Sequence, residues 1–127
     1  MLARTTLSHV LSVDYRKVQT APFPAALLDC LSAWVYLTQY LDIAPSRILI
    51  AGDSAGGHLA LALARHLRDG DFALPKALLL FSPWVDMSKD SAPKCYRYKH
   101  FNAETDYLNM DAVSLPPLFL ILTSLQS

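Results

Sequence analysis

The run Arg47-Ile48-Leu49-Ile50-Ala51-Gly52 is short and apolar, and Asp53-Ser54-Ala55-Gly56-Gly57 follows it with no linker. The run has the length and β-branched character of a central strand. A helix is expected immediately afterwards, carrying His58 to Leu67, with alanines that let it pack close to a sheet. A strand passing directly into a helix has to turn sharply. Small residues at Gly52 and Gly56 prevent a clash at that turn, and the residue between them, Ser54, is held in a strained position at the carboxyl edge of the sheet.

The rest of the chain repeats the alternation. Val10 to Tyr15 reads as a buried strand. A connection closed by Pro22 and Pro24 leads into a helix to about Leu41, with Leu27, Cys30, Leu31, Trp34, Leu37 and Leu41 on one broad apolar face. The Ser54 helix should stop at Gly70, after a basic last turn of Arg65, His66 and Arg68. Ala77 to Phe81 is a third strand, ended by Ser82-Pro83, and Leu118 to Leu122 is a fourth, introduced by Pro116-Pro117. Residues 84–115 between them are polar and irregular. This order predicts an α/β fold, with a mostly parallel sheet, right-handed crossovers and helices on both faces.

Charge narrows the function classes. Eleven basic and 11 acidic residues cancel, so no basic face for nucleic acid or anionic membrane is implied. Apolar residues make up 53% and charged residues 17%, a core-rich balance that suits strands buried on both faces. No window is long and apolar enough for a membrane span, and no signal peptide is seen ahead of Leu7. Cys30 and Cys95 are expected to be free, space-filling thiols. Neither they nor the four histidines have metal spacing, so no metal or organic cofactor is expected.

The chemistry centres on Ser54. Gly52-Asp53-Ser54-Ala55-Gly56 matches G-x-S-x-G in the strand-to-helix setting that a nucleophilic serine needs. The N–H of Ala55, at a helix start, would face the oxygen that becomes negative when Ser54 attacks a carbonyl. Gly52, Asp53, Gly56 and Gly57 complete the elbow. A phosphate loop would place a lysine before the hydroxyl residue, and none lies near. The plainer alternative is that Ser54 only caps the helix. A serine also needs a base. His58 points along the helix, His66 sits at the helix C-terminus, and His9 is at the amino edge of the sheet. His100, in the irregular stretch, has the freedom to approach.

Four blocks in order resemble the hormone-sensitive-lipase-like ("alpha/beta hydrolase fold-3") carboxylesterases. They are Ser12-Val13-Asp14-Tyr15-Arg16; Phe23-Pro24-Ala25-Ala26 with Asp29; Gly52 to Ala60; and Ser82-Pro83-Trp84-Val85-Asp86-Met87-Ser88. Residues 102–108 and Leu115-Pro116-Pro117 are weaker fifth and sixth blocks. The resemblance implies a serine esterase or lipase-like hydrolase with Ser54 as acyl nucleophile and Ala55 as an oxyanion donor. Its substrate would be a small-molecule ester of short or medium chain, or else a sterol acetate or an N-formyl amide. Asp14 and Arg16 would be structural, holding the edge of the site by hydrogen bonds. Asp86 is not implied as the triad acid, which in this family follows the Pro-Pro strand.

That acid, the later histidine and the family's His-Gly-Gly-Gly loop find no match in the 127 residues. Residues 1–127 are therefore expected to be the central piece of one α/β-hydrolase domain. Its elbow lies at 52–56, and its connecting or cap region, about 84–115, is shortened. An uncovered sheet edge would give such a piece a route to self-association and poor solubility. Three readings stay open: an ester hydrolase, an inactive or partner-binding fragment, and an α/β-hydrolase peptidase with the same elbow.

Overall fold

The computed structural model describes residues 8–86 and the strand at 120–125. Strand β1 spans Ser8–Val13, helix α1 Ala25–Val35, β2 Ile48–Asp53, α2 Ala55–Asp69, β3 Ala77–Phe81 and β4 Leu120–Leu125. Helix α1 continues through a wider turn of π type at Tyr36–Tyr40, and a single 3₁₀ turn at Pro45–Arg47 delivers the chain into β2. Pro24 stands just before α1, and Gly70 just after α2, as expected of residues that start and stop helices.

The sheet order is β1-β4-β2-β3. β2 and β3 run parallel, with Ile50 beside Leu78 and Gly52 beside Leu80. β4 runs antiparallel to both neighbours, with Leu120 beside Val13 on one side and Gly52 on the other. The fourth strand was expected to be parallel, and the difference has a simple cause. Phe81 and Leu120 sit at the same end of β2, opposite Asp53 and Gly52. A strand that enters the sheet at the end where the previous one left it runs back in the opposite direction.

Alternation along the strands sorts their side chains. Ile48 and Ile50 are fully buried, with Leu78 and Leu80 packed beside them. Over them lie Cys30, Trp34 and Leu37 of the α1 segment and Leu59, Ala60, Leu63 and Leu67 of α2, joined by Tyr15. Both described helices pack against each other on this one face. The expectation of helices on both faces is thus met on one face among the described residues. On the other, Leu79 and Phe81 remain 46% and 55% exposed.

Cys30 is free and buried, and burial, followed by the nearby Asp29 carboxylate, pushes its thiol up to about 12. It is a packing group with no thiolate character. The Tyr15 hydroxyl, buried beside it without a hydrogen-bond partner among the described residues, is likewise pushed up to about 12, chiefly by burial. Cys95 lies outside the described residues. No helix among those described is long and apolar enough to cross a membrane.

Candidate active site

Between β2 and α2 the chain reverses at Ser54, whose φ of 53° and ψ of −117° lie where non-glycine residues seldom go. Such a backbone costs about 1–3 kcal/mol and persists only where its surroundings hold it. Here they do. The Ser54 N–H donates to the Phe81 carbonyl at 2.9 Å, and its carbonyl accepts from the N–H groups of His58 at 3.1 Å and Trp84 at 3.0 Å. A Cβ on Gly52 would overlap the Gly56 carbonyl and stand 2.7 Å from Gly57 N. On Gly57 it would meet Pro83 Cβ at 2.9 Å. These two glycines are what let strand, turn and helix come so close. The expected role of Gly56 as a small residue takes a different form: its carbonyl is the atom that Gly52 must clear.

Ser54 occupies the position before α2 yet makes no side-chain capping bond, so the plain capping role is not observed. The first intrahelical bond runs from the His58 N–H to Ser54. The N–H groups of Ala55, Gly56 and Gly57 precede it and belong to the unsatisfied donors of a helix start. They give this edge a positive character. Asp53, the last residue of β2, is exposed and paired in register with Phe81.

The histidines separate clearly. His9 lies in β1 at the level of Ile48, about 20 Å along the sheet from Ser54. An apolar groove of about 290 Å³ lined by His9, Leu11, Tyr36 and Leu41 is at that same far end and belongs to no site with Ser54. His66 is in the last turn of α2, about 18 Å along the helix axis. His58 is in the first turn, but its Nδ1 is 3.0 Å from the Trp84 carbonyl. His100 lies outside the described residues. Among the described residues no group of three or more His, Cys, Asp or Glu side chains could hold a metal ion.

Arg16, at the exit of β1, grips Asp29 of α1 with Nε at 3.1 and 3.0 Å, Nη2 at 2.7 Å and its own backbone N–H at 2.9 Å. The expected structural role falls to this pair, while Asp14 is exposed. The Arg16 hydrogen bonds hold the Asp29 carboxyl below the usual carboxylate range. A carboxyl lowered in the fold contributes stability above its unfolded value of about 4, and loses it as pH falls through the lower folded value. Asp69, beside Arg68 at 2.7 Å, shifts the same way but is fully exposed to solvent screening. Replacing Asp29 with Asn should lower Tm by a few degrees at neutral pH and flatten its fall below about pH 4. A thermal melt series from pH 7 to 3 on both chains checks this.

Trp84 and the Ser82-Pro83 turn are the part of the site that reading the residues did not assign. Ser82 also has a positive φ, 42°. The signal was present as the Ser-Pro-Trp block directly after β3.

The chain is similar to known proteins. A family model described as alpha/beta hydrolase fold matches residues 1–116. An acetyl-hydrolase of Streptomyces hygroscopicus is 41% identical over 83 residues, covering 65% of this chain and 27% of that protein. The esterase LipU of Mycobacterium tuberculosis is 38% identical over 106 residues, covering 84% and 33%. A crystal structure of an esterase from the bacterial hormone-sensitive lipase family superposes with a TM-score of 0.50 at 42% identity, covering 58% of this chain and 25% of that one. The chain thus spans between a quarter and a third of the length of these three proteins. With a strained serine between a central strand and its helix, a family model matched over residues 1–116 and an esterase of the bacterial hormone-sensitive lipase family 42% identical to it, the chain belongs to the hormone-sensitive-lipase-like alpha/beta hydrolase fold family.

Proposed function

We propose that this chain supplies the acyl-accepting serine of a carboxylic-ester hydrolase. The observation that carries the reading is the Ser54 backbone, φ 53°, at the junction of β2 and α2. Such a turn lifts the hydroxyl off the sheet edge and aims it away from the helix it begins. Ser54 Oγ bonds to the ester carbonyl carbon, the alcohol leaves with a proton, and water then releases the acid and restores the hydroxyl. The Ala55 N–H steadies the oxyanion. Among the described residues no histidine serves as the base. The names of the relatives, acetyl-hydrolase and esterase, favour small acyl esters.

The test is covalent capture by a fluorophosphonate. The Oγ–P bond forms, the P–F bond breaks, fluoride leaves and the hydroxyl proton passes to solvent or base. Capture on Ser54, mapped by peptide mass, supports the reading, and an unlabelled folded chain removes it.

The sheet face left uncovered among the described residues favours a second reading, self-association. Leu79 and Phe81 are exposed on β3, an edge strand, with Trp84 and Val85 exposed just beyond it. Open, apolar edges pair with other chains. Sedimentation should show species above 14.1 kDa whose share rises with concentration, and a Leu79→Lys substitution should reduce them. A monomer at all concentrations excludes this reading.

A further inference from the structure

The geometry points to His58 as a positioning residue for Ser54: its imidazole, with the proton on Nδ1, latches the Trp84 peptide onto the first turn of α2. This rests on the serine reading above and extends it to what holds the serine in place.

The argument begins with the Trp84 peptide. Its N–H donates to the Ser54 carbonyl at 3.0 Å, and its carbonyl lies 3.0 Å from His58 Nδ1. A carbonyl only accepts, so Nδ1 must donate, and a neutral ring then keeps its lone pair on Nε2. His58 also donates its backbone N–H to the Ser54 carbonyl at 3.1 Å. The bonds close a ring through Ser54, His58 and Trp84.

That ring joins two left-handed residues, Ser54 at φ 53° and Ser82 at φ 42°, with the Ser54 N–H to Phe81 bond between them. Pro83 rests on Gly57, within 2.9 Å of where a Cβ would stand. The turn after β3 is therefore a brace for the elbow. The His58 latch is the part of this ring of bonds that depends on a side chain, and so the part a substitution can remove. Trp84 itself is 45% exposed. Nothing in the latch requires His58 to touch the Ser54 hydroxyl. Its effect reaches Oγ through the backbone.

The test uses the full chain labelled with ¹⁵N. Long-range proton–nitrogen correlation should show the neutral His58 ring protonated at Nδ1. His58→Ala should speed hydrogen exchange at the Trp84 amide by about tenfold or more and slow fluorophosphonate capture by about tenfold. His58→Asn keeps a side-chain N–H that can reach the same carbonyl, so it should recover part of both, and it covers the case of an alanine variant that does not fold. A ring protonated at Nε2 in the parent chain, or Trp84 exchange unchanged in His58→Ala, overturns the proposal. Tautomer and exchange need no reactive serine. A parent chain that takes no probe therefore sinks the serine reading alone and leaves these two readouts to decide the latch.

Discussion

Replacing Ser54 with alanine should abolish fluorophosphonate capture, a loss of at least about 1,000-fold in labelling rate. The size follows from the chemistry. The probe is held by a bond to Oγ, and alanine offers no atom to make it. The strained turn should survive, because alanine meets the same φ restriction as serine and Ser54 makes no side-chain capping bond. Ser82 is the informative control. It too has a positive φ, and the carbonyl just before it accepts the Ser54 N–H. Ser82→Ala should keep most of the labelling. A label that persists in Ser54→Ala and vanishes in Ser82→Ala would move the nucleophile one strand over. Peptide mapping after capture reads both outcomes.

Gly52→Ala should be the most damaging single methyl in the described fold. The added Cβ would overlap the Gly56 carbonyl, a backbone atom in the first turn of a helix, and no rotamer change relieves that. Either the elbow opens or α2 shifts off its strand, taking Leu59 and Leu63 from the core with it. The expected loss is about 3 kcal/mol or more. With a urea slope of about 1–3 kcal/mol/M, the midpoint should fall by at least about 1 M, or the variant should fail to fold. Gly57→Ala makes a useful comparison. Its new Cβ would press on Pro83, in a turn after β3 that can give by a few tenths of an ångström, so its cost should be clearly smaller. Equal costs would mean that the elbow does not depend on the Gly52 approach.

The sharp turn between β2 and α2 was readable because Gly52 has a physical reason to be there, and the residues on either side have the apolar character of a strand and a helix. β3 was readable to the residue, since Ala77 to Phe81 is an unbroken apolar run closed by Ser82-Pro83. β1 was displaced by two positions. Tyr15 is a core residue, which extends the apparent strand, but the chain has already left the sheet at Val13 to bring Arg16 to Asp29. The direction of β4 was not readable at all: an apolar run has no polarity, and direction depends on the edge to which a connection returns the chain. The His58 contact was hidden for a related reason. It joins a ring nitrogen to a backbone oxygen 26 positions away, and a backbone oxygen is present at every residue.

The place of β4 also bears on when this fold can assemble. Among the described residues β1 reaches the rest of the sheet through β4, with Ser8 beside Leu125 and Val13 beside Leu120, so its pairing joins segments far apart in the sequence. On a ribosome, β1, α1, β2, α2 and β3 all emerge before their central strand exists. Helix α2 can settle on β2 and β3 early, because those contacts are short in sequence. The β1–β4 pairing has to wait until residues 120–125 have emerged. Closing so long a loop is slow. Through that interval the nascent chain shows an apolar strand slot to whatever extended segment arrives first, a vulnerability of synthesis that no inspection of the finished fold would reveal.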